Sequence, residues 1–110
     1  MARPFSIASL SPDIGDHIRK VFPHDYNEVT QAIETFIQDQ DYMVHERPRI
    51  VRCILYLAQS EKRPISQVLV SVRGDLRDAI LWAEYEGLKS GETLRQVRDF
   101  TKPFGKNEIQ

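Results

Sequence analysis

Hydrophobic residues recur at helical spacing along most of the chain. The longest apolar stretch is 50–58, Ile-Val-Arg-Cys-Ile-Leu-Tyr-Leu-Ala, which a single charge, Arg52, interrupts. This stretch is too short to cross a bilayer, where about 20 apolar residues are needed. On a helical wheel it has a wide apolar body and a narrow polar side that includes Arg49, Arg52 and Tyr56. The pattern therefore predicts a central helix, 48–59, that neighbouring elements cover almost completely.

Start and stop signals divide the rest of the chain into further helices. Ser11 followed by Pro12 is typical of a helix N-terminus. The segment 64–73 fits both a helix and a strand, and we favour a helix because a strand there would have no partner elsewhere in the chain. The predicted fold is all-α, a compact single-domain bundle of five to six short helices around helix 48–59. The helices are expected at 12–22, 26–41, 48–59, 64–73, 75–87 and 91–101.

Length and composition are those of one globular domain. The chain has 110 residues, 41% of them hydrophobic and 28% charged, which suffices for one hydrophobic core. We expect a single helical domain over 1–110, with an ordered core at about 11–101 and tails at 1–10 and 102–110. No segment has the pattern of a signal peptide or a membrane span, and Cys53 is the single cysteine. The sequence thus predicts a cytoplasmic, bacterial protein with no disulfide.

Charge is nearly balanced, which disfavours nucleic acid as a partner. Fifteen Lys and Arg against sixteen Asp and Glu give a net charge of −1, whereas proteins that bind phosphates usually carry a clear basic excess. The order helix, Gly74, helix resembles the layout of a helix-turn-helix motif. The second of these helices is acidic, however, and phosphates would repel it. A nucleic-acid-associated regulator that uses the scattered arginines is therefore kept as the alternative function.

No group of residues has the spacing of a known catalytic or metal site. His17, His24 and His45 lack the further ligands that a zinc site needs. Cys53 lies inside the apolar run, not at a helix N-terminus where its pKa would fall. The glycines form neither a phosphate loop nor a dinucleotide fingerprint. We expect no metal and no cofactor, and we favour a protein without enzymatic activity; an enzyme with an unrecognised site is the second alternative.

Arg52 leads to a structural prediction. An arginine on the polar side of an otherwise buried helix should meet a carboxylate, because a buried unpaired charge costs several kcal/mol. We expect a structural clamp in which Tyr56 covers the guanidinium and helix 75–87 supplies the acid. The candidate acids are Asp75, Asp78 and Glu84.

Helix 75–87 is apolar on more than one side, which predicts that part of it packs against another protein. Aromatic side chains are frequent anchors of such interfaces. The candidate interaction surface consists of Leu81, Trp82, Tyr85 and Leu88. The predicted function is a small non-enzymatic protein-interaction or regulatory domain. Its partner would be another protein or, in a homodimer, a second copy of itself.

Overall fold

The computed structural model describes residues 11–39, 44–87 and 93–107. Within these ranges the chain forms five α-helices, a 3-10 turn at Val44–Glu46 and one antiparallel pair of very short strands. The predicted all-α class is confirmed, with a small hairpin added to it. The elements are α1 Pro12–Val21, α2 Tyr26–Gln38, α3 Arg47–Ser60, α4 Ile65–Val72, α5 Arg77–Glu84, β1 Tyr85–Glu86 and β2 Arg95–Gln96.

Helix α3 lies at the centre of the molecule, as the apolar run predicts. Helices α1, α4 and α5 pack against it, and α2 closes the bundle by packing against α1 and α4. Pro48 lies in the first turn of α3, where a missing backbone N–H leaves no helical hydrogen bond unmade. Side chains around the whole helix are buried because it is covered on several sides. The fully buried ones are Ile50, Val51, Cys53, Ile54 and Leu55.

The ambiguous segment before Gly74 is helical. In α4 the side chains of Val68, Leu69 and Val72 are buried, which is the i, i+1, i+4 spacing of one helix face. Val70, which a strand would place on the same side as Val68, is instead 71% exposed. Burial therefore follows the helical period, and the prediction of a helix is confirmed.

The predicted end of α5 and the predicted sixth helix are wrong over the residues described. Helix α5 ends at Glu84, and β1 then pairs with β2 in the register Tyr85 to Gln96. The described part of 91–101, residues 93–101, contains β2 and turns. The reason is tertiary: the backbone N–H groups of Val97 and Arg98 donate to the Glu84 carbonyl oxygen at 2.7 and 3.2 Å. These bonds hold the chain across the end of α5, and they replace the helical bonds that its local pattern predicts.

The segment 102–107, which the sequence assigns to a tail, packs on the domain instead. The Phe104 ring stacks on His17 with a centroid distance of 3.7 Å. Asn107 is buried, and its carbonyl oxygen accepts a 2.7 Å hydrogen bond from the Asp99 N–H. Phe104 thus anchors this segment to α1. The predicted tails 1–10 and 108–110 lie outside the described residues, as does the end of the predicted helix 26–41, whose described part ends at Gln38.

None of the described helices is both long enough and apolar enough to cross a membrane.

Candidate functional site

Arg52 is buried against α1 and pairs with Asp13. Its Nε and Nη2 atoms each donate to a carboxylate oxygen of Asp13 at 3.0 Å, and its Nη1 donates to the Phe100 carbonyl oxygen at 3.0 Å. Two parallel bonds of this kind are the strongest arrangement between a guanidinium and a carboxylate. The contact ties together α1, α3 and the C-terminal segment.

Asp13 is held ionised by the donors around it. Partial burial acts to raise its pKa, but hydrogen bonds from Arg52, from the Ser11 hydroxyl and from the Phe104 N–H outweigh burial and lower the pKa to about 2. The Phe104 N–H lies 3.1 Å from Asp13 Oδ2. Asp13 is thus the point at which the C-terminal segment is fastened to α1.

Glu84 is a second, completely buried acid, and it pairs with Arg49. The Arg49 Nε and Nη2 atoms donate to its two oxygens at 2.8 and 2.6 Å. The Gln96 side-chain amide and the Phe100 N–H donate to it as well, at 2.8 and 3.0 Å. The hydrogen bonds that Arg49 donates to Glu84 raise the pKa of Arg49. Because every neighbour is a donor, the position requires a group that only accepts, which is a carboxylate.

Arg52 pairs with a carboxylate, but the acid predicted for it is wrong. Arg52 meets Asp13 of α1 and not an acid of helix 75–87. Glu84 binds Arg49, three residues before Arg52 and so close to it on the same helix. The aromatic ring of Tyr56 lies under Arg98, whose Cζ is 4.5 Å from the ring centroid.

The other two predicted acids lie outside the clamp. Asp75 pairs with the exposed Arg77 at 2.8 Å. Asp78 makes no side-chain ion pair with any residue that the structure describes. The acid that α5 contributes to the interior is therefore Glu84, at its last residue.

Most of the described surface arginines form ion pairs with acids of the same chain. Exposed pairs of this kind add little to stability, yet they leave little unbalanced positive charge for a polyanion. The pairs are Arg19 with Asp16, Arg63 with Glu61, Arg77 with Asp75, and both Arg95 and Arg98 with Glu86. Arg73, at the end of α4, differs: its side chain makes no ion pair or hydrogen bond with another residue of the described ranges.

The predicted interaction surface is partly exposed. Trp82 is 39% exposed on α5, and Leu81 and Tyr85 are half-buried. Leu88 lies outside the described residues. Tyr85 belongs to β1 and not to the helix that carries Trp82, so the surface spans the end of α5 and the hairpin. Leu94, just before β2, is 45% exposed; it is not one of the residues that the sequence predicts for this surface.

His17 and Cys53 have different hydrogen-bond partners. His17 donates to Gln59 Oε1 at 3.0 Å, and burial lowers its pKa. Cys53 lies 3.9 Å from Glu84 Oε2, and burial raises the pKa of its thiol well above the ordinary value. The thiol therefore stays protonated, and a protonated thiol is a poor nucleophile. Among the residues described, no three His, Cys, Asp or Glu side chains are grouped so that they could hold a metal ion.

Compared with known protein families, with curated proteins and with solved structures, the chain matches none.

Proposed function

We propose that this protein is a non-enzymatic protein-interaction domain that binds another protein through the α5 face, defined as Leu81, Trp82 and Tyr85. The exposure of Trp82 carries the proposal. Trp82 is 39% exposed, so part of the stabilisation that burial of so large an apolar side chain can give is not realised in the monomer. Tryptophan and tyrosine are also the side chains that most often anchor protein interfaces.

The use of charge inside the domain supports binding over chemistry. The partly buried Asp13 and the fully buried Glu84 are saturated by hydrogen bonds from Arg52, Arg49 and neighbouring amides. Groups bound in this way have no free lone pair or proton directed at a substrate, whereas a catalytic acid or base must reach one. Their role in the proposal is to hold the scaffold that presents the α5 face.

The charges around the α5 face favour a protein over a nucleic acid. Asp78 lies on the same helix, and Glu86 pairs with Arg95 and Arg98 beside it. The phosphate groups of a nucleic acid would meet acidic side chains there and few unpaired basic side chains. The salt dependence of binding distinguishes the two classes of partner, because binding to phosphates weakens steeply as the salt concentration rises and binding to an apolar surface does not.

The test is affinity capture from native lysate with the wild type, Trp82→Ala and the matched control Trp82→Phe. We expect captured proteins to bind Trp82→Ala at least about tenfold more weakly, as for a truncated interface anchor, and Trp82→Phe to retain most of the binding. Circular dichroism and thermal unfolding check that each variant folds. Unchanged capture by folded Trp82→Ala would contradict the proposal. Capture that nuclease treatment abolishes would support the nucleic-acid alternative instead.

A further inference from the structure

A second surface lies between α2 and α4, and we propose that two copies of this chain associate there as a two-fold symmetric dimer. The α2–α4 groove has a volume of about 190 Å³ and is lined by Phe36, Asp39, Leu69, Val70 and Arg73. It is separate from the α5 face and does not depend on the function proposed for that face. Three properties of the groove point to a second copy as its occupant.

The first property is the exposure of Val70. It is the most exposed of the large hydrophobic side chains described, at 71%. A β-branched residue is a poor choice for an exposed helix position, because the helix restricts its side chain and offers no burial in return. Neither the core nor the propensity of α4 explains this valine. Burial against a partner would.

The second property is a pair of opposite charges, Asp39 and Arg73, that find no partner among the described residues. Asp39 and Arg73 follow the last residues of α2 and α4, and both line the groove. Neither side chain forms an ion pair or hydrogen bond with another residue in the described part of the chain. A carboxylate at a helix C-terminus also faces the negative end of the helix dipole, which disfavours it in the monomer. A cation from outside would relieve this.

The third property is self-complementarity. In a two-fold interface each contact occurs twice, so a surface must carry both members of every pair. The α2–α4 groove carries the exposed Val70 together with Phe36 and Leu69, and it carries both an Asp39 and an Arg73. Facing a copy of itself across a two-fold axis, it would place each Asp39 opposite the partner's Arg73 and each Val70 against the partner's groove.

The size of the groove favours a side chain over a small molecule. Sites for small ligands usually measure about 300–1,000 Å³, and this groove is smaller. A more open depression continues along α2 past Phe36 and extends the surface that a partner could cover; it is also lined by Glu28, Gln31, Ala32 and Thr35. Because the surface is modest and partly polar, the dimer is expected to be weak and to depend on concentration.

The first experiment measures association by sedimentation equilibrium over about a hundredfold range of protein concentration. The wild type and the control Val70→Ile are expected to dimerise as concentration rises. Val70→Asp, which places a charge in the apolar contact, should raise the dissociation constant at least about tenfold. Trp82→Ala should dimerise like the wild type, which keeps this proposal distinguishable from the one for the α5 face.

The second experiment exchanges the charges. Asp39→Arg and Arg73→Asp should each be monomeric, because each places like charges opposite one another in its own dimer. Mixed in equal amounts, the two variants should associate, since both ion pairs of the mixed dimer again join opposite charges. The double variant Asp39→Arg with Arg73→Asp should dimerise alone. Thermal unfolding at low concentration checks that each variant folds.

Three results would overturn the proposal. The first is a wild type that stays monomeric throughout, even if Val70→Asp loses a different protein in a capture experiment. The second is a wild-type dimer that Trp82→Ala abolishes and Val70→Asp does not. The third is a mixture of the two charge variants that fails to associate while the wild type dimerises.

Discussion

The charged side chains of the domain core and those of the α2–α4 groove differ in whether they have partners within the chain. The partly buried Asp13 and the fully buried Glu84 each bind an arginine through two hydrogen bonds, and backbone amides donate to them as well. In the groove, Asp39 and Arg73 lie unpaired with respect to the rest of the described chain. Folding explains the first set completely. It does not explain the second, which is why the groove and not the interior points to a partner.

The same contrast predicts where substitutions act. A buried ion pair often contributes no more to stability than well-packed apolar residues would, but removing one member leaves an uncompensated charge and is strongly destabilising. An exposed side chain without partners can be changed with little effect on the fold. Interior variants should therefore alter the free energy of unfolding, and variants of the groove should alter association.

The largest effect is expected for Glu84→Ala. Glu84 is fully buried. Its removal leaves the Arg49 Nε and Nη2 groups and two further donors without their acceptor, although Arg49 keeps its 3.5 Å ion pair with Glu46. We expect a loss of about 4 kcal/mol in the free energy of unfolding, measured by urea denaturation with circular dichroism. Such a loss is a large part of the stability of a small domain.

Glu84→Gln is the matched control for shape. An amide keeps the volume of the side chain but turns one acceptor into a donor, which then faces the donors of Arg49 and Gln96. The control should therefore remain clearly destabilised. If Glu84→Ala unfolded at the wild-type urea concentration, the interior charges would not be structural and the contrast with the groove would fail.

The sequence predicts the core well because core packing leaves a local signature. The apolar run 50–58 identifies α3. The pattern of 64–73 fits a helix and a strand alike, and α4 is predicted there because a strand would have no partner. The predicted helix 91–101 fails for a tertiary reason. The Glu84 carbonyl oxygen takes the amides of Val97 and Arg98, and no pattern within the segment itself records that competition.

The partner of Arg52 shows what charge and burial can predict from the sequence. The apolar surroundings of Arg52 demand a carboxylate, and one is present. Which carboxylate it is depends on how α1 crosses α3, and Asp13 lies 39 residues away in sequence. Arg49 and Arg52 share a helix side, so nothing local assigns Glu84 to one and Asp13 to the other. The role of the α5 face stays a prediction, and Val70 could be singled out only once its exposure was known.

A smaller loss of stability than that of Glu84→Ala is expected when the pH is lowered. The pKa of Asp13 is about 2 in the folded protein and 3.8 ordinarily, so the unfolded chain binds its proton first as pH falls. The associated stability is present above about pH 4 and is lost between there and pH 2, by about 2 kcal/mol. Urea denaturation at a series of pH values measures this loss.

Asp13→Asn is the control for the acid effect. It should be less stable at neutral pH and should lack the part of the acid loss that belongs to residue 13. Destabilisation from His17 should remain in both proteins, because burial lowers the pKa of His17 and protonation below about pH 6.5 therefore opposes folding. If the two proteins lost stability identically as pH falls, the lowered pKa of Asp13 would not contribute to the stability of the fold.

The smallest effect, and one of opposite sign, is expected for Val70→Ala. Alanine favours a helix over valine by about 0.5 kcal/mol at an exposed position, and Val70 contributes little to the core. At concentrations where the protein is monomeric, the variant should be as stable as the wild type or slightly more stable. At high concentration the order should reverse, because dimerisation stabilises the wild type and not the variant. Thermal unfolding at two protein concentrations measures both effects in one series. A variant that is destabilised equally at both would place Val70 with the interior residues and remove the difference between the two regions.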